Sequence, residues 1–355
     1  MSEQPKKLLI LNILDILRKY TDKDHTLSQK EIGDILKREY GMTADRKAIR
    51  RNILGLMECG YDIEHPHDPP VRMVQNPKTG ELEESEIWSD FWLVREFTDS
   101  ELRLLIDSVT FSNHIPYGQR KQLIGKLEGL SSKYFRAHTK HVHAVPDVLP
   151  QNGELFSTID KLDEAIGRGC KVVFNYLEYG TDKKLHVKRR EDGAVREYLV
   201  SPYQMAAKEG KYYLICNYDK YDDISNYRID RITKVRVLED EPVKPFESLP
   251  WAKNRRLDLT EYMRRHVYMF SSEDVFAKFR VTKAMISDVI DMFGLDVRFS
   301  DETDETVTVS VTVNEMAMLQ FSRSFAPDVV LLEPEFLAKK VKDTAERTVE
   351  AYKDI

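Results

Sequence analysis

The apolar residues of this chain change their spacing partway along it, and this change limits the possible folds more than any other feature. Up to about residue 136 they recur every three or four positions, as on one side of a helix. From Cys170 onward, many short segments have the composition of strands and are separated by turn glycines. This succession indicates a multidomain α+β chain.

Three amphipathic helices are predicted within the first sixty residues, over 8–20, 28–41 and 44–59. The second opens at a capping box, Ser28 to Glu31, and the third follows Thr43 as its expected cap. Two short strands, 61–64 and 90–95, come next and are joined by a long polar loop. Three helices followed by such a wing predict a winged helix-turn-helix over residues 1–97, with its third helix in the major groove of DNA.

The third helix combines an apolar face with a basic one, although the chain as a whole has a net charge of −6. Binding to nucleic acid depends on the local patch and not on the overall charge. We therefore expect a small phosphate footprint per copy, and a homodimer on a double-stranded DNA operator. The predicted DNA-binding residues are Arg46, Lys47, Arg50 and Arg51.

Residues 98–150 are predicted to form a helical connector, which opens at the Thr98 capping box and ends in an irregular linker over 138–150. One helix then covers 155–168. Five short strands after a single helix predict a small β-barrel domain over 151–245. The five predicted strands are 170–176, 196–201, 203–207, 211–218 and 232–237.

The last part of the chain, 246–355, alternates strands and helices again. The predicted order is strand, helix, strand, strand, helix, strand, helix. This is the split order of a ferredoxin-like α+β domain. We expect this C-terminal extension to help the chain dimerise.

Three blocks of the barrel segment resemble the WYL domain family in order and spacing. Gly210–Ile215 (GKYYLI) resembles the Trp-Tyr-Leu stretch that names the domain, and Tyr227–Ile232 (YRIDRI) resembles its downstream block. Val200–Tyr203 matches the segment just before them. Ala48–Leu56 resembles the recognition helix of regulators in this family, and Leu319–Pro334 resembles the extension that often follows their WYL domain.

The resemblance implies a transcriptional regulator whose WYL domain, a barrel of the Sm or SH3 kind, senses a nucleic-acid or nucleotide ligand. Aromatic faces for bases and guanidinium groups for phosphates suit such a ligand. The sequence departs from the family in two places: Tyr212 stands where the naming Trp is expected, and Arg51-Asn52 replaces a common Arg-Asp pair. The predicted ligand-binding residues are Ser201, Tyr203, Tyr213, Arg228 and Arg231.

Strand alternation leaves some of these roles open. Tyr212 and Tyr213 point to opposite faces of a strand, so one of them is expected in the core; the family match favours Tyr213 as the ligand-facing one. Arg228 and Arg231 cannot share a face of a regular strand, so one is a candidate ion-pair partner of Asp230 or Glu197. Ser201 either donates to a ligand or ends a strand before Pro202.

Other classes of protein find little support in the sequence. We expect no enzyme, because no nucleophile elbow, Gly-rich phosphate loop or clustered carboxylates stand out. No cofactor or metal is predicted, since His138, His141 and His143 fit no zinc spacing and three scattered cysteines suit a reducing cytoplasm. We also expect no membrane span and no signal peptide. The runner-up function is an RNA- or single-strand-binding accessory protein of a defence system of the CRISPR type.

Overall fold

The structure is a computed structural model that describes residues 5–66, 70–75, 80–86, 88–112, 115–135, 152–252 and 256–353. It is a mixed α+β protein with a helical N-terminal region and several sheets. The chain divides into two compact units, one of residues 1–112 and 117–146 and one of residues 113–116 and 147–355. The predicted linker at 138–150 lies outside the described residues.

The first unit begins with three helices, α1 (Leu9–Tyr20), α2 (Gln29–Tyr40) and α3 (Arg46–Glu58), around one apolar core. The capping box at Ser28 is confirmed. The cap of α3 differs from the prediction: Asp45, and not Thr43, accepts a hydrogen bond from the Ala48 N–H at 2.7 Å. The core residues that face one another include Ile13, Leu17, Ile32, Leu36, Ile49 and Ile53.

Two antiparallel strand pairs follow the helices. Strand β1 (Ile63–Glu64) pairs with β4 (Trp92–Leu93), as the two predicted strands suggested. Between them, β2 (Val71–Gln75) pairs with β3 (Leu82–Glu86), in a stretch that the sequence analysis treated as a polar loop. The guanidinium of Arg95 closes the end of α1 by donating to the carbonyl oxygens of Leu17 and Thr21. Helices α4 (Asp99–Phe111) and α5 (Tyr117–Glu128) complete the described part of this unit, and the capping box at Thr98 is confirmed.

The second unit opens with α6 (Leu155–Arg168) and a six-stranded antiparallel sheet. The sheet order is β10-β5-β7-β8-β9, and β6 pairs with β5. The two strands predicted over 196–207 are one long strand with an irregular register between Pro202 and Gln204, because proline has no N–H for the ladder. The strands are β5 (Cys170–Tyr179), β6 (Leu185–Val187), β7 (Glu197–Lys208), β8 (Lys211–Tyr218), β9 (Ser225–Arg228) and β10 (Ile232–Pro242).

The C-terminal extension starts with α7 (Leu259–Arg265) and continues as a four-stranded antiparallel sheet in the order β12-β13-β11-β14. Phe279, Phe293 and Phe321 pack together in its core. The succession of strands and helices is the one that the sequence predicted. The elements are β11 (Asp274–Thr282), α8 (Ile286–Phe293), β12 (Arg298–Ser300), β13 (Thr306–Asn314), α9 (Glu315–Ser324), β14 (Val329–Glu333) and α10 (Glu335–Ala351).

Candidate functional site

Three of the four predicted DNA-binding residues lie on an exposed basic face of α3. Arg46, Lys47 and Arg51 are exposed, whereas Ile49 and Ile53 on the other side are buried in the core. Within the described part of the chain, no carboxylate forms an ion pair with these three cations. Because Asp45 caps the helix, Arg46 and Lys47 stand in its first turn, where the helix dipole disfavours positive charge. Their placement does not stabilise the helix, but it suits the binding of an anion.

Arg50 has a different environment from its neighbours. It is half-buried, and its guanidinium lies 4.3 Å from the centroid of the Trp88 ring. The His65 ring stacks on the same indole, with 4.3 Å between the ring centroids. Arg50 therefore joins α3 to the segment that enters β4, a contact that the sequence analysis did not foresee. Asn52 is also engaged within the fold, because its side-chain amide donates to the Ala48 carbonyl at 2.7 Å.

In the second unit, the two predicted arginines flank a short turn. Strand β9 ends at Arg228, and Ile229–Arg231 form one turn of 3₁₀ helix. The alternation argued from a regular strand therefore does not apply to Arg228 and Arg231. Arg228 donates to both carboxylate oxygens of Asp230, with Nε–Oδ1 3.1 Å and Nη2–Oδ2 2.6 Å. This settles one open alternative: Arg228 is the ion-pair partner of Asp230.

Arg231 lies beside tyrosine side chains. Its guanidinium carbon is 5.5 Å from the centroid of the Tyr179 ring. Its Nε is buried and donates to no acceptor among the residues that the structure describes.

Tyr176 and Tyr213 complete the surroundings of the two arginines. The Tyr176 hydroxyl accepts a hydrogen bond from the Arg228 N–H at 3.3 Å. Burial raises the pKa of Tyr176, and the positive charge of Arg231 opposes this rise. Tyr213 stands opposite Arg228 in the ladder between β8 and β9, and burial likewise raises its pKa while Arg228 opposes the rise. We call Tyr176, Tyr179, Tyr213, Arg228, Asp230 and Arg231 the tyrosine–arginine cluster.

The two tyrosines of the WYL motif differ in exposure. Tyr212 is exposed, whereas Tyr213 is half-buried and packs against the apolar cluster that contains Ile215. Leu214, the next residue of the motif, is fully buried. That Tyr213 contacts a ligand therefore stays a prediction, which its partial exposure permits.

Ser201 and Tyr203 are engaged with the chain that leaves β10. Ser201 is fully buried, and its hydroxyl oxygen accepts a hydrogen bond from the Lys244 N–H at 3.0 Å. The Tyr203 hydroxyl donates to the Lys244 carbonyl at 2.8 Å, and its ring packs edge-on against Phe246. Ser201 therefore does not end a strand, since β7 continues beyond it. Both side chains hold the segment after β10 against β7.

A group of aromatic side chains beside this cluster was missed by the sequence analysis. The guanidinium of Arg196 lies over the rings of Tyr198 and Tyr218, at 4.8 Å and 5.8 Å from their centroids. Tyr227 packs edge-on against Tyr176 with 5.3 Å between centroids, which connects the group to the tyrosine–arginine cluster. The available signal was the pair Phe174 and Tyr176 at alternate positions of β5, whose rings both pack against Tyr198 and Tyr227.

The described residues contain no group of three or more His, Cys, Asp or Glu side chains that could hold a metal ion. Among the described helices, none is long and apolar enough to span a bilayer.

Comparison with known proteins identifies the domain that carries the tyrosine–arginine cluster. Residues 157–237, from α6 into β10, match the family model of the WYL domain. The chain thus contains a WYL domain, and the resemblance seen in the sequence is confirmed there. None of the curated proteins matches the chain.

Two solved structures align with nearly the whole chain. Proteasome accessory factor B/C (PafBC) of Arthrobacter aurescens is 14% identical with a TM-score of 0.27, and the alignment covers 99% of this chain and 50% of that one. A protein described as CRISPR Cas-related is 15% identical with a TM-score of 0.35, and the alignment covers 99% and 87%. This chain therefore spans about half the length of the PafBC chain.

Proposed function

We propose that this protein is a DNA-binding transcriptional regulator whose WYL domain binds a nucleic-acid or nucleotide-like ligand. The observation that carries the proposal is the exposed basic face of α3, opposite a fully apolar face. Three helices followed by the β1–β4 pair and a hairpin suit a winged helix-turn-helix in which α3 enters the major groove. Arg46, Lys47 and Arg51 then contact DNA, and Arg50 supports the helix through Trp88.

The tyrosine–arginine cluster supports the ligand-binding part of the proposal. Tyrosine rings offer stacking faces to bases, and guanidinium groups offer paired donors to phosphate oxygens. A phosphate oxygen would also accept from the Arg231 guanidinium, which lies beside the Tyr179 ring. The surrounding sheet suits a small barrel of the Sm or SH3 kind, and the strand order of the C-terminal extension suits a ferredoxin-like domain.

We further propose that the regulator is a cytoplasmic homodimer without catalytic activity. One small basic face per copy gives modest affinity for DNA, and two-fold symmetry doubles the contacts on a palindromic site. Light scattering at micromolar concentration should give twice the 41.5 kDa mass of one chain. A monomer both with and without DNA contradicts this part of the proposal.

The DNA assignment is tested with a duplex selected from a random pool by the full-length protein. Lys47→Ala/Arg51→Ala should weaken binding more than tenfold in fluorescence anisotropy, and the affinity of the unmutated protein should fall steeply with salt because phosphate contacts release counterions. The matched control is Lys339→Ala/Arg347→Ala, which removes the same charges from the exposed side of α10.

If the unmutated protein and the α3 double variant bind the selected duplex with equal affinity, the assignment of α3 as the DNA-binding helix is wrong. Binding of RNA or single strands with no selected duplex would favour the alternative function instead. In that case the tyrosine–arginine cluster serves an accessory protein of a defence system, and α3 is only part of the scaffold.

A further inference from the structure

A cleft of about 590 Å³ lies within the second unit, between the WYL domain and the C-terminal extension. The loop from β8 to β9, residues 221–224, forms one wall. Phe246, Pro250 and Ala252, residues 256–265 with α7, and residues 272–274 at the start of β11 form the others. A volume of this size is typical of sites for small molecules.

The inner surface of the cleft is apolar. Ile224, Phe246, Ala252 and Tyr262 line it, and all four are buried members of one packed cluster. Leu257 packs against the same cluster. An apolar or aromatic group of a ligand would therefore find a preformed surface there.

The described residues of the rim carry an excess of negative charge. The described lining residues include six carboxylates and two guanidiniums, which gives a formal charge of −4. Lys244 pairs with Asp222 at 2.8 Å, and Arg265 pairs with both Glu261 and Asp274. Among the described residues, no cation pairs with the other three rim carboxylates, Asp223, Asp258 and Glu273. Asp258 caps α7 by accepting from the Glu261 N–H, which leaves Asp223 and Glu273.

Asp274 has an unsatisfied oxygen at this site. Its Oδ2 accepts from Arg265 Nη1 at 2.9 Å, but its Oδ1 is buried and has no donor within the described residues. The His266 Nε2 atom is 3.9 Å from Oδ1, which is too far for a hydrogen bond. His266 is fully buried, and burial lowers its pKa, so its ring is neutral near pH 7. His266 therefore does not balance the charge of Asp274.

We propose that this cleft is a binding site for an organic cation, a protonated amine attached to an apolar or aromatic body. The ammonium group lies near Asp223, Glu273 and Asp274 and donates to the exposed carboxylates of Asp223 and Glu273. The body of the ligand packs on Phe246 and Tyr262. Nucleotides and other anions are repelled, so this site is distinct in chemistry from the tyrosine–arginine cluster.

The wall of the cleft is also tied to β9 of the WYL domain. The Tyr262 hydroxyl donates to Asn226 Oδ1 at 3.0 Å, and the Asn226 N–H donates to Ser271 Oγ at 3.0 Å. Asn226 stands two residues before Arg228 in the same strand. A cation in the cleft thus contacts a residue that fixes the strand leading to the tyrosine–arginine cluster.

Calorimetric titration of the full chain tests the proposal, with tyramine and spermidine as cationic probes and AMP as the anionic one. At least one amine should bind and raise the melting temperature, whereas AMP should not displace it. Asp223→Asn/Glu273→Gln should weaken amine binding at least tenfold. Both side chains are exposed, so the fold should tolerate the change.

Asp304→Asn/Glu305→Gln is the matched control, because it removes the same two charges from the exposed loop between β12 and β13. This variant should bind the amine as the unmutated protein does. Failure of both amines to bind overturns the proposal. The proposal is also overturned if the two variants weaken amine binding equally or if the cleft variant does not weaken it. Displacement of the amine by AMP would overturn it as well.

Discussion

The guanidinium of Arg50 lies over the indole ring of Trp88, 4.3 Å from its centroid. This contact separates Arg50 from the other three cations of the same helix, which project into solvent. It also connects α3 to the chain that returns from the β2–β3 hairpin into β4. Trp88 thus holds one cation of α3 against the fold, while Arg46, Lys47 and Arg51 stay exposed.

Arg50 and Arg51 should consequently have different mutant phenotypes. Arg50→Ala should lower the free energy of unfolding by about 1 kcal/mol, because a cation–π contact at a partly desolvated site contributes about that much. Arg51→Ala should leave stability unchanged and weaken binding to the selected duplex. Urea unfolding and fluorescence anisotropy on both variants check this. An Arg50→Ala protein as stable as the unmutated one would show that the Trp88 contact contributes nothing.

The tyrosine–arginine cluster should bind its ligand through Arg231. Arg231→Ala should weaken calorimetric binding of a short single-stranded oligonucleotide or a nucleotide by tenfold or more, because a charge-assisted hydrogen bond contributes roughly 1.5–3 kcal/mol. Arg228→Ala should act in the same direction and also leaves Asp230 without its partner. Neither change should alter binding of the operator duplex in the absence of ligand.

Arg236→Ala is the control for that experiment, because it removes an exposed arginine of the same sheet that pairs with Glu197 at 2.8 Å. It should bind the ligand normally. If the unmutated protein binds none of these ligands, or if Arg231→Ala binds them equally well, the WYL domain has another role. A partner-docking module would then be the better description.

Tyr203 should prove to be a structural residue. Tyr203→Phe removes the donor to the Lys244 carbonyl and should cost about 1 kcal/mol of unfolding free energy. Ligand affinity should stay the same, because the ring can keep its place against Phe246. Tyr352→Phe, at an exposed position, is the control for loss of a hydroxyl. If Tyr203→Phe loses ligand binding without losing stability, Tyr203 is a ligand-binding residue, as the sequence predicted.

Glu39 should make the first unit sensitive to acid. The Tyr20 hydroxyl, with Arg38 and Lys19, lowers the pKa of Glu39 from 4.5 to about 2. A carboxyl whose folded pKa is depressed stabilises the fold above its unfolded pKa, and this stabilisation is lost as the pH falls from 4.5 towards 2. Glu39→Gln should therefore lower the urea midpoint at pH 7, and the difference should shrink below pH 3.

Glu58→Gln is the comparison for Glu39, because Glu58 is exposed at the end of α3. Its urea midpoint should follow that of the unmutated protein at both pH values. A constant difference between Glu39→Gln and the unmutated protein from pH 7 to pH 3 would contradict the depressed pKa.

Features that depend on neighbours in the chain were predicted well. The capping boxes at Ser28 and Thr98 each join residues three positions apart, so their letters alone specify the hydrogen bonds. The three blocks of the WYL domain were recognised for the same reason, because each is a short run of residues in a fixed order. The cap of α3 was wrong by two residues because Thr43 and Asp45 are both good caps, and only the folded backbone shows which one meets the free N–H groups.

The sequence by itself determined the first three helices, the order of helices and strands in the C-terminal extension, the basic and apolar faces of α3, and the presence of the WYL domain. Tertiary structure alone decided that Arg50 contacts Trp88, that Ser201 and Tyr203 hold Lys244, and that distant carboxylates meet around one cleft. The physical reason is the range of the interactions. Periodicity and caps arise between residues a few positions apart, whereas these contacts join segments that only the packing of the whole unit brings together, and such pairs leave no repeating pattern in the chain.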